Sequence, residues 1–224
     1  MNYISAVNVT KNIARVQQVR FLTENTFVVR FDRGDLMFKP GQYLTAGIKD
    51  SLQHREYSIY SSENDDYLEI LVREVLDGDV SLQLKNIKKG EQLEINGPFG
   101  FMKIQEEDLS SKKFVLIASG TGIAPFHSFI SSYKELDYTV LHGVRNESEA
   151  YDKSDYDSQK YVDCTSRDKN GKYHGRVTDF LKGYEITSDM LFYVCGNSNM
   201  IYEVYDILRK KGVENSAIYS EVYF

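Results

Sequence analysis

The hydrophobic pattern of the chain changes its period near the middle. In residues 1–108, apolar and polar positions alternate in short segments, for example in residues 26–31 (TFVVRF) and 67–73 (YLEILVR), with polar turn segments between them. Many short segments of period two are typical of an antiparallel β-barrel, which we predict for this half. Residues 79–87 have mixed apolar spacing instead and are predicted as a short helix.

From residue 113 onward, short apolar runs alternate with segments of helical period. Strands are predicted at residues 114–118, 139–142, 161–165, 190–195 and 217–224, and helices at residues 123–133, 177–181 and 200–211. This alternation is typical of a parallel sheet flanked by helices, whose ligands bind beyond the carboxyl ends of the strands. We therefore predict two domains, an antiparallel β-barrel over residues 1–108 and an α/β parallel-sheet nucleotide-binding domain over residues 109–224.

Charge and composition narrow the classes of partner. The 224 residues carry 27 Lys+Arg against 33 Asp+Glu, a formal charge of −6, which argues against a nucleic-acid partner. Apolar runs fall far short of the roughly 20 residues that cross a bilayer, so no membrane partner is expected. Cys164 and Cys195 fit neither a disulfide framework nor a metal-ligand spacing, and the four histidines are scattered. We expect no metal site and a reducing, cytoplasmic location.

The strongest local motif is the turn at residues 119–125 (SGTGIAP), where a predicted strand passes into a helix. Glycines at this position let the backbone approach a phosphate, and the free N–H groups at a helix start attract negative charge. Taken alone, the same turn is equally consistent with a purely structural role.

Two further motifs lie in the barrel half. In residues 55–58 (REYS), Arg55 can bind a phosphate, Tyr57 can stack on a planar ring, and Ser58 can donate a hydrogen bond to a ring nitrogen. The same sequence is also compatible with an ordinary amphipathic strand. Residues 78–81 (GDVS) open the predicted short helix. They offer a pyrophosphate cradle or a plain helix cap.

A fourth motif, at residues 195–197, again joins a strand to a helix, and its alternative interpretation is a buried core cysteine. In this order and domain context, the motifs resemble those of ferredoxin/flavodoxin–NADP⁺ reductases of the short bacterial type. The resemblance covers essentially the whole chain. It is carried by Arg55-x-Tyr57-Ser58, Gly78-x-x-Ser81, Gly120-Thr121-Gly122-Ile123-Ala124-Pro125, Cys195-Gly196-Asn197 and Glu221-Val222-Tyr223-Phe224.

The resemblance implies an FAD held by the barrel half, which would make it a flavin domain. Arg55 and Ser81 would bind the pyrophosphate, Tyr57 would stack on the isoalloxazine, and Ser58 would face the nitrogen that accepts the hydride. The flavin-binding set implied in this way is Arg55, Glu56, Tyr57, Ser58, Leu71, Val72, Arg73, Gly78, Val80 and Ser81.

The resemblance also implies a nicotinamide nucleotide on the second half. Thr121 would lie between flavin and nicotinamide, Cys195 beside the nicotinamide and Glu221 at the flavin edge. Tyr223 would cover the flavin face that nicotinamide must reach, and whether it or Phe224 stacks there stays open. The nucleotide-binding set is Gly120, Thr121, Gly122, Cys195, Gly196 and Asn197, with Tyr223 and Phe224 as cofactor-binding rings; the catalytic set is Ser58, Cys195, Glu221 and Tyr223.

A cluster of basic residues favours NADP(H) over NAD(H). In the resembling bacterial members, the positions of Arg145, Ser166, Arg167 and Arg176 grip the adenosine 2′-phosphate. The chemistry agrees, because a dianionic phosphate calls for guanidinium groups and a hydroxyl. Asp168 argues the other way, and the arginines could simply be solvated charges.

The function expected from the resemblance is hydride transfer between NADP(H) and FAD, with single electrons passing between FAD and ferredoxin or flavodoxin. Because such partners are acidic, docking on a chain of charge −6 needs a local basic patch, for which the candidates are Lys85, Lys88, Lys89, Lys112 and Lys113. The alternatives are the reductase component of an oxygenase, a free-flavin reductase, and a non-catalytic flavin- or nucleotide-binding subunit.

Overall fold

The computed structural model describes residues 12–76 and 78–222 and contains two six-stranded sheets. The first sheet is antiparallel, with strand order β4-β3-β6-β1-β2-β5. A bridge between Ile59 and Ile70 joins the end of β4 to β5, so the sheet closes on itself as the predicted barrel. The elements of this half are β1 (Asn12–Phe21), β2 (Thr26–Asp32), β3 (Tyr43–Ile48), β4 (Arg55–Ser58), β5 (Tyr67–Arg73), α1 (Asp79–Asn86) and β6 (Gln92–Phe99).

The second sheet is entirely parallel, with strand order β10-β9-β8-β7-β11-β12. Because the chain leaves β7 first toward β8 and later crosses to β11 on the other side, the strand order reverses beside β7. A ligand crevice is expected at such a switch point. The elements are β7 (Lys113–Ser119), α2 (Ala124–Ser132), β8 (Tyr138–Val144), β9 (Tyr161–Thr165), β10 (Tyr173–His174), α3 (Val177–Gly183), β11 (Met190–Gly196), α4 (Ser198–Lys210) and β12 (Ile218–Val222).

The predicted fold class is confirmed, and the differences lie in the details of individual elements. The pattern did not single out β3, β6 or the two-residue β10. Helix α4 begins at Ser198 rather than at residue 200 because the Asn197 side chain accepts a hydrogen bond from the Asn199 N–H and caps the helix. Tyr223 and Phe224 lie outside the described residues. Within the described ranges, no helix is both long and apolar enough to cross a bilayer.

Strands β2 and β5 are buried on both faces along most of their length. Phe27 and Val29 belong to the barrel core, together with Val72. The intervening Val28 and Leu71 pack instead into a cluster that contains side chains of α2 and β7. These two strands therefore form the wall of the barrel against which the second domain rests.

The segment that follows β8 ties the two domains together through polar contacts. Asp152 accepts two hydrogen bonds from Arg20, at 2.7 and 2.8 Å, and one from the Tyr60 hydroxyl at 2.8 Å. Tyr151 and Thr26 hydroxyls are 3.1 Å apart. Because these contacts join one loop of the second domain to three places on the barrel, they set how the walls of the interdomain cleft face each other.

Candidate functional site

A cleft of about 1270 Å³ separates the two domains. Its barrel wall is formed by β4, the end of β5 and the start of α1, and its other wall by the turns that follow β7, β8, β9 and β11. The volume exceeds the roughly 300–1,000 Å³ of ordinary small-molecule pockets. The cleft also lies at the carboxyl ends of the parallel strands, where the topology predicts a ligand.

The strand predicted to bind the flavin lies along the barrel wall. Arg55, Glu56, Tyr57 and Ser58 all line the cleft. Arg55 is exposed, and its Nη1 donates to the neighbouring His54 carbonyl at 2.9 Å. Tyr57 packs against the barrel core, and burial raises the pKa of its phenol to about 12. The wall thus presents a guanidinium and a neutral aromatic ring side by side.

The start of α1 forms the second part of this wall. Gly78, Val80 and Ser81 line the cleft. The Ser81 hydroxyl donates to the Gly78 carbonyl at 3.1 Å and accepts from the Val75 N–H at 3.0 Å. The hydroxyl therefore organises its own turn, and this leaves the first N–H groups of the helix to face an anion.

The glycine-rich turn after β7 forms the centre of the opposite wall. Residues Gly120–Ile123 make a 3₁₀ turn that leads into α2, and Gly120 has a φ of 53°. A Cβ on Gly122 would overlap the carbonyl group of Cys195, and one on Gly196 would overlap Ser119. The Asn197 N–H donates to the Ser119 hydroxyl at 3.0 Å. The turns after β7 and β11 are thus packed backbone against backbone.

The residues predicted to hold the 2′-phosphate divide into two groups. Arg145, Ser166 and Arg176 line the cleft, whereas Arg167 does not. All three arginines are exposed, and none belongs to the arginine ion pairs of the described residues, which are those of Arg20, Arg30, Arg73 and Arg209.

The carboxylate of Asp168, which follows Arg167 in the sequence, faces backbone N–H groups of its own domain. Its carboxylate accepts from the Asn170 N–H at 3.0 Å and from the Glu147 N–H at 2.8 Å, and these hydrogen bonds lower the pKa of the carboxyl group. The acid that argued against a phosphate site is therefore engaged by two loops of its own domain.

Five further predicted site residues lie away from the cleft lining or outside the described residues. The side chains of Val72 and Cys195 are fully buried in the core. Burial raises the pKa of the Cys195 thiol well above its usual range, so the thiol is neutral. The Cys195 carbonyl group lies next to Gly122, which lines the cleft, but Cys195 itself does not line it. Glu221, paired with Cys195 in the β11–β12 register, lies near Gly100. Tyr223 and Phe224 are not described.

The remaining predicted residues line one or the other wall of the cleft. Leu71 and Arg73 of β5 line the barrel wall, and Gly120, Thr121, Gly122, Gly196 and Asn197 line the opposite wall. Among the lysines considered for docking, Lys85 lies 2.6 Å from Glu74 and Lys113 lies 3.2 Å from Asp189. Their charges are therefore partly neutralised within the chain.

A polar cleft residue that the sequence did not single out is Thr178. Thr178 is only 2% exposed and lines the cleft, yet its hydroxyl has no hydrogen-bond partner within the described part of the chain. The Arg73 guanidinium lies beside Gly120 and 4.0 Å from Glu149. Thr178 follows Arg176 by two residues at a helix start, which was the one signal that could have identified it.

The hydrogen-bond donors and cationic groups of the cleft are suited to bind two nucleotide cofactors, one on each wall. Each wall has a helix start that is free of bulky side chains, and each has guanidinium groups that suit phosphates. The buried, unpartnered Thr178 hydroxyl indicates a missing polar neighbour, since buried hydroxyls are almost always hydrogen-bonded. FAD on the barrel wall and a nicotinamide dinucleotide on the other are consistent with these features.

Comparison with known protein families gives matches in both halves. Residues 13–104 match the oxidoreductase FAD-binding domain, and residues 116–206 match the oxidoreductase NAD-binding domain. The interval between the two matches contains the boundary predicted near residue 108.

Relatives match this chain along nearly its whole length. The chain is 26% identical to a ferredoxin–NADP reductase of Azotobacter vinelandii, covering 92% of both chains. It is 25% identical to the electron transfer component of a toluate 1,2-dioxygenase of Pseudomonas putida, covering 94% of this chain and 67% of the relative. Its fold is similar to that of a ferredoxin NADP⁺ reductase of Neisseria gonorrhoeae solved with FAD and NADP bound. The TM-score is 0.84 at 22% identity, over 96% of this chain and 99% of the other.

Proposed function

Because the chain belongs to the ferredoxin–NADP reductase family of FAD-dependent NAD(P)H oxidoreductases, we propose that it exchanges hydride between NADPH and FAD in the interdomain cleft and passes electrons to a ferredoxin or flavodoxin. The observation that supports this most directly is that two helix starts, those at residues 78–81 and at residues 120–123, lie on opposite walls of one cleft, where each can bind a phosphate. Two dinucleotides bound there would bring their rings together between the walls.

On the barrel wall, we assign binding and orientation of FAD to β4 and α1. Arg55 would hold the pyrophosphate together with the N–H groups at the start of α1, and Tyr57 would support one face of the ring. Ser58, at the end of β4, would donate to a ring nitrogen. The flavin supplies the redox chemistry when it is bound, while the chain supplies distance, stacking and electrostatics.

On the opposite wall, we assign the nicotinamide dinucleotide to the turns after β7 and β11. The glycines of these turns admit a pyrophosphate, and Thr121 would lie between the two rings. Close packing of the turns would keep water out of the path between them. No strong acid or base is needed, because hydride transfer moves no separate proton.

The preference for NADPH over NADH is assigned to Arg145, Ser166 and Arg176. These side chains lie together on the cleft wall at the ends of β8 and β9 and the start of α3. The engagement of Asp168 by backbone N–H groups supports the same preference, since NAD-specific sites usually place an acid on the ribose.

A second candidate function differs only in the electron acceptor. The relative from Pseudomonas putida serves a toluate dioxygenase, so an oxygenase component is an alternative acceptor for this chain. Reconstitution with a purified ferredoxin, a flavodoxin and an oxygenase component, each under NADPH, separates the alternatives by which acceptor is reduced at a catalytic rate. A cytoplasmic location is part of the proposal and rests on the two free, buried thiols.

Anaerobic mixing of the flavin-loaded protein with NADPH, and separately with NADH, tests the core of the proposal. The expected result is fast loss of the oxidised-flavin absorbance with NADPH and slow loss with NADH. Bleaching by neither nucleotide would contradict a hydride-transfer function. Equal bleaching by both would contradict the coenzyme preference alone.

Two arginines on the same connection give a matched pair of variants for the phosphate site. Arg176→Ala removes a guanidinium that lines the cleft, and we expect the KM for NADPH to rise roughly 10- to 150-fold while that for NADH changes little. Arg167→Ala removes one that does not line the cleft and should leave both KM values within about threefold. Similar losses in the two variants would show that position on the wall does not decide phosphate recognition.

A further inference from the structure

His142 occupies a fully buried position near the end of β8, directly behind the glycine-rich turn of β7. Both ring nitrogens make short hydrogen bonds. Nε2 lies 2.8 Å from the carbonyl oxygen of Gly120, and Nδ1 lies 2.6 Å from the hydroxyl oxygen of Tyr161. The histidine thus connects the turn that lines the cleft to β9 in the interior of the sheet.

The partners fix the protonation state of the ring. A carbonyl oxygen only accepts hydrogen bonds, so Nε2 carries the hydrogen and donates it to Gly120. In a neutral ring, Nδ1 then accepts from the Tyr161 hydroxyl. Burial lowers the pKa of His142 to about 4, so the neutral ring is the form present at neutral pH.

The bond to Gly120 also fixes the direction of the next N–H group. The peptide unit between Gly120 and Thr121 is planar and trans, so its C=O and N–H point in opposite directions. Since the carbonyl points inward to His142, the Thr121 N–H points outward, toward the cleft that Thr121 lines. Gly120 alone would permit other orientations, because its φ of 53° belongs to a region that glycine samples freely.

We propose that His142 is a positioning residue for the nucleotide site, holding the Gly120–Thr121 peptide so that its N–H faces the pyrophosphate of the bound dinucleotide. This inference rests on the proposed function, which places that pyrophosphate at the turn. Tyr161 supports the histidine by occupying Nδ1, which keeps the hydrogen on Nε2. The tyrosine itself is fully buried, so the relay from Tyr161 through His142 to Gly120 is shielded from competing water.

Two amide substitutions separate the two nitrogens of His142. In glutamine the amide nitrogen is as many bonds from Cβ as Nε2 is in histidine, so His142→Gln can still donate to Gly120. In asparagine the amide corresponds to Nδ1, so His142→Asn keeps the contact to Tyr161 and loses that to Gly120. The two variants are similar in polarity and differ in whether the hydrogen bond to the Gly120 carbonyl can form.

The measurement is the Kd of the flavin-loaded protein for NADP⁺ and for adenosine 2′-monophosphate, which has no pyrophosphate. We expect His142→Asn to weaken NADP⁺ roughly tenfold and to leave adenosine 2′-monophosphate unchanged. His142→Gln should stay within about threefold of the wild type for both. Flavin content and the thermal unfolding midpoint are recorded for each variant to establish that it is folded.

Every other outcome contradicts either the positioning role of His142 or the proposed function. Equal Kd values for NADP⁺ in the wild type and in His142→Asn would overturn the positioning role. Equal weakening of both nucleotides would also overturn it and would assign His142 to general stability. If His142→Asn does not fold, Tyr161→Phe decides, because it frees Nδ1 and should weaken NADP⁺ several-fold; no change would overturn the proposal. A wild-type protein that binds neither NADP⁺ nor NAD⁺ contradicts the proposed function itself.

Discussion

The two glycine-containing turns that face each other across the cleft have similar local form but are held in different ways. The turn at residues 78–81 is fixed by the Ser81 hydroxyl, whose partners lie within six residues. The turn at residues 119–122 is fixed from outside by His142 and by the backbone of residues 195–197. One wall of the cleft therefore depends on local contacts, and the other depends on the packing of the whole parallel sheet.

This difference has consequences for how each turn tolerates change. A side chain added at Gly78 would meet the Ser81 hydroxyl at 2.9 Å and the Val75 side chain at 3.0 Å, with the Val75 carbonyl oxygen farther away at 3.2 Å. Side chains can rotate or shift. One added at Gly122 would meet main-chain atoms of the neighbouring strand end, which cannot move without disturbing β11. The wall held by tertiary contacts should therefore be the more sensitive of the two.

The largest expected effect is that of Gly122→Ala. Because the new Cβ overlaps backbone, we expect the free energy of unfolding to fall by about 3 kcal/mol, the upper end for overpacking, with loss of NADP⁺ binding. Gly78→Ala, at a φ of −99°, should cost about 1 kcal/mol or less. Urea unfolding measures both.

Gly183→Ala serves as the control for the alanine substitutions, because nothing lies within 4 Å of its Cβ. It should change stability by no more than about 0.5 kcal/mol. If Gly78→Ala proves as costly as Gly122→Ala, the distinction between locally and externally held turns is wrong.

Acid pH should weaken the fold through His142, the side chain that holds the second turn. Its pKa of about 4 in the folded protein lies below the unfolded value of 6.5, so the unfolded chain binds the proton more readily in this interval. The contribution of neutral His142 to the free energy of unfolding is complete above pH 6.5. It is lost as the pH falls toward 4, at up to about 1.4 kcal/mol per pH unit. By pH 5 the loss should reach about 2 kcal/mol.

The other titratable groups packed around His142 do not change protonation between pH 6.5 and 4. Tyr151 and Tyr161 do not ionise there, and Asp163, held by Lys153 at 2.8 Å, has a pKa lowered below its usual range. The free energy of unfolding measured from pH 7.5 to 5 should therefore be flatter in His142→Gln than in the wild type. Parallel curves for the two proteins would contradict the assignment.

A smaller effect is expected when the local contact of the first turn is removed. Ser81→Ala deletes a hydroxyl that makes two hydrogen bonds within its turn, and we expect a loss of about 1 kcal/mol in stability and a weaker FAD complex. NADP⁺ affinity, measured with the flavin saturated, should not change. A comparable loss for both cofactors would mean that the two walls do not act separately.

The elements with a strong local period could be predicted from the sequence. The segment at residues 67–73 and the motif at residues 119–125 were placed correctly, because a strand pattern and a strand-to-helix turn depend on neighbouring residues. Short β10 could not be predicted, since its two residues form a strand only by pairing with β9. The start of α4 was missed by two residues because its cap is the Asn197 side chain.

The candidate site was predicted unevenly for the same reason. Residues 55–58 were expected along the cleft and lie there, because the motif sits on one short strand. Among the arginines, nothing in the spacing of the letters distinguishes Arg167 from Arg176, yet only the second lines the cleft. Thr178 was not identified despite its position two residues after Arg176, because its significance comes from burial without a hydrogen-bond partner among the described residues.

Local patterns along the chain establish the order of the two domains, the position of each glycine turn and the types of side chain available to bind phosphates. Periodicity and turn chemistry act between near neighbours, so these features can be predicted from a single chain. Long-range packing establishes which guanidinium groups line the cleft, and it places His142, 22 residues from Gly120, against the Gly120 carbonyl. Such contacts join residues on different strands, and they exist only once the parallel sheet has set the strand ends side by side.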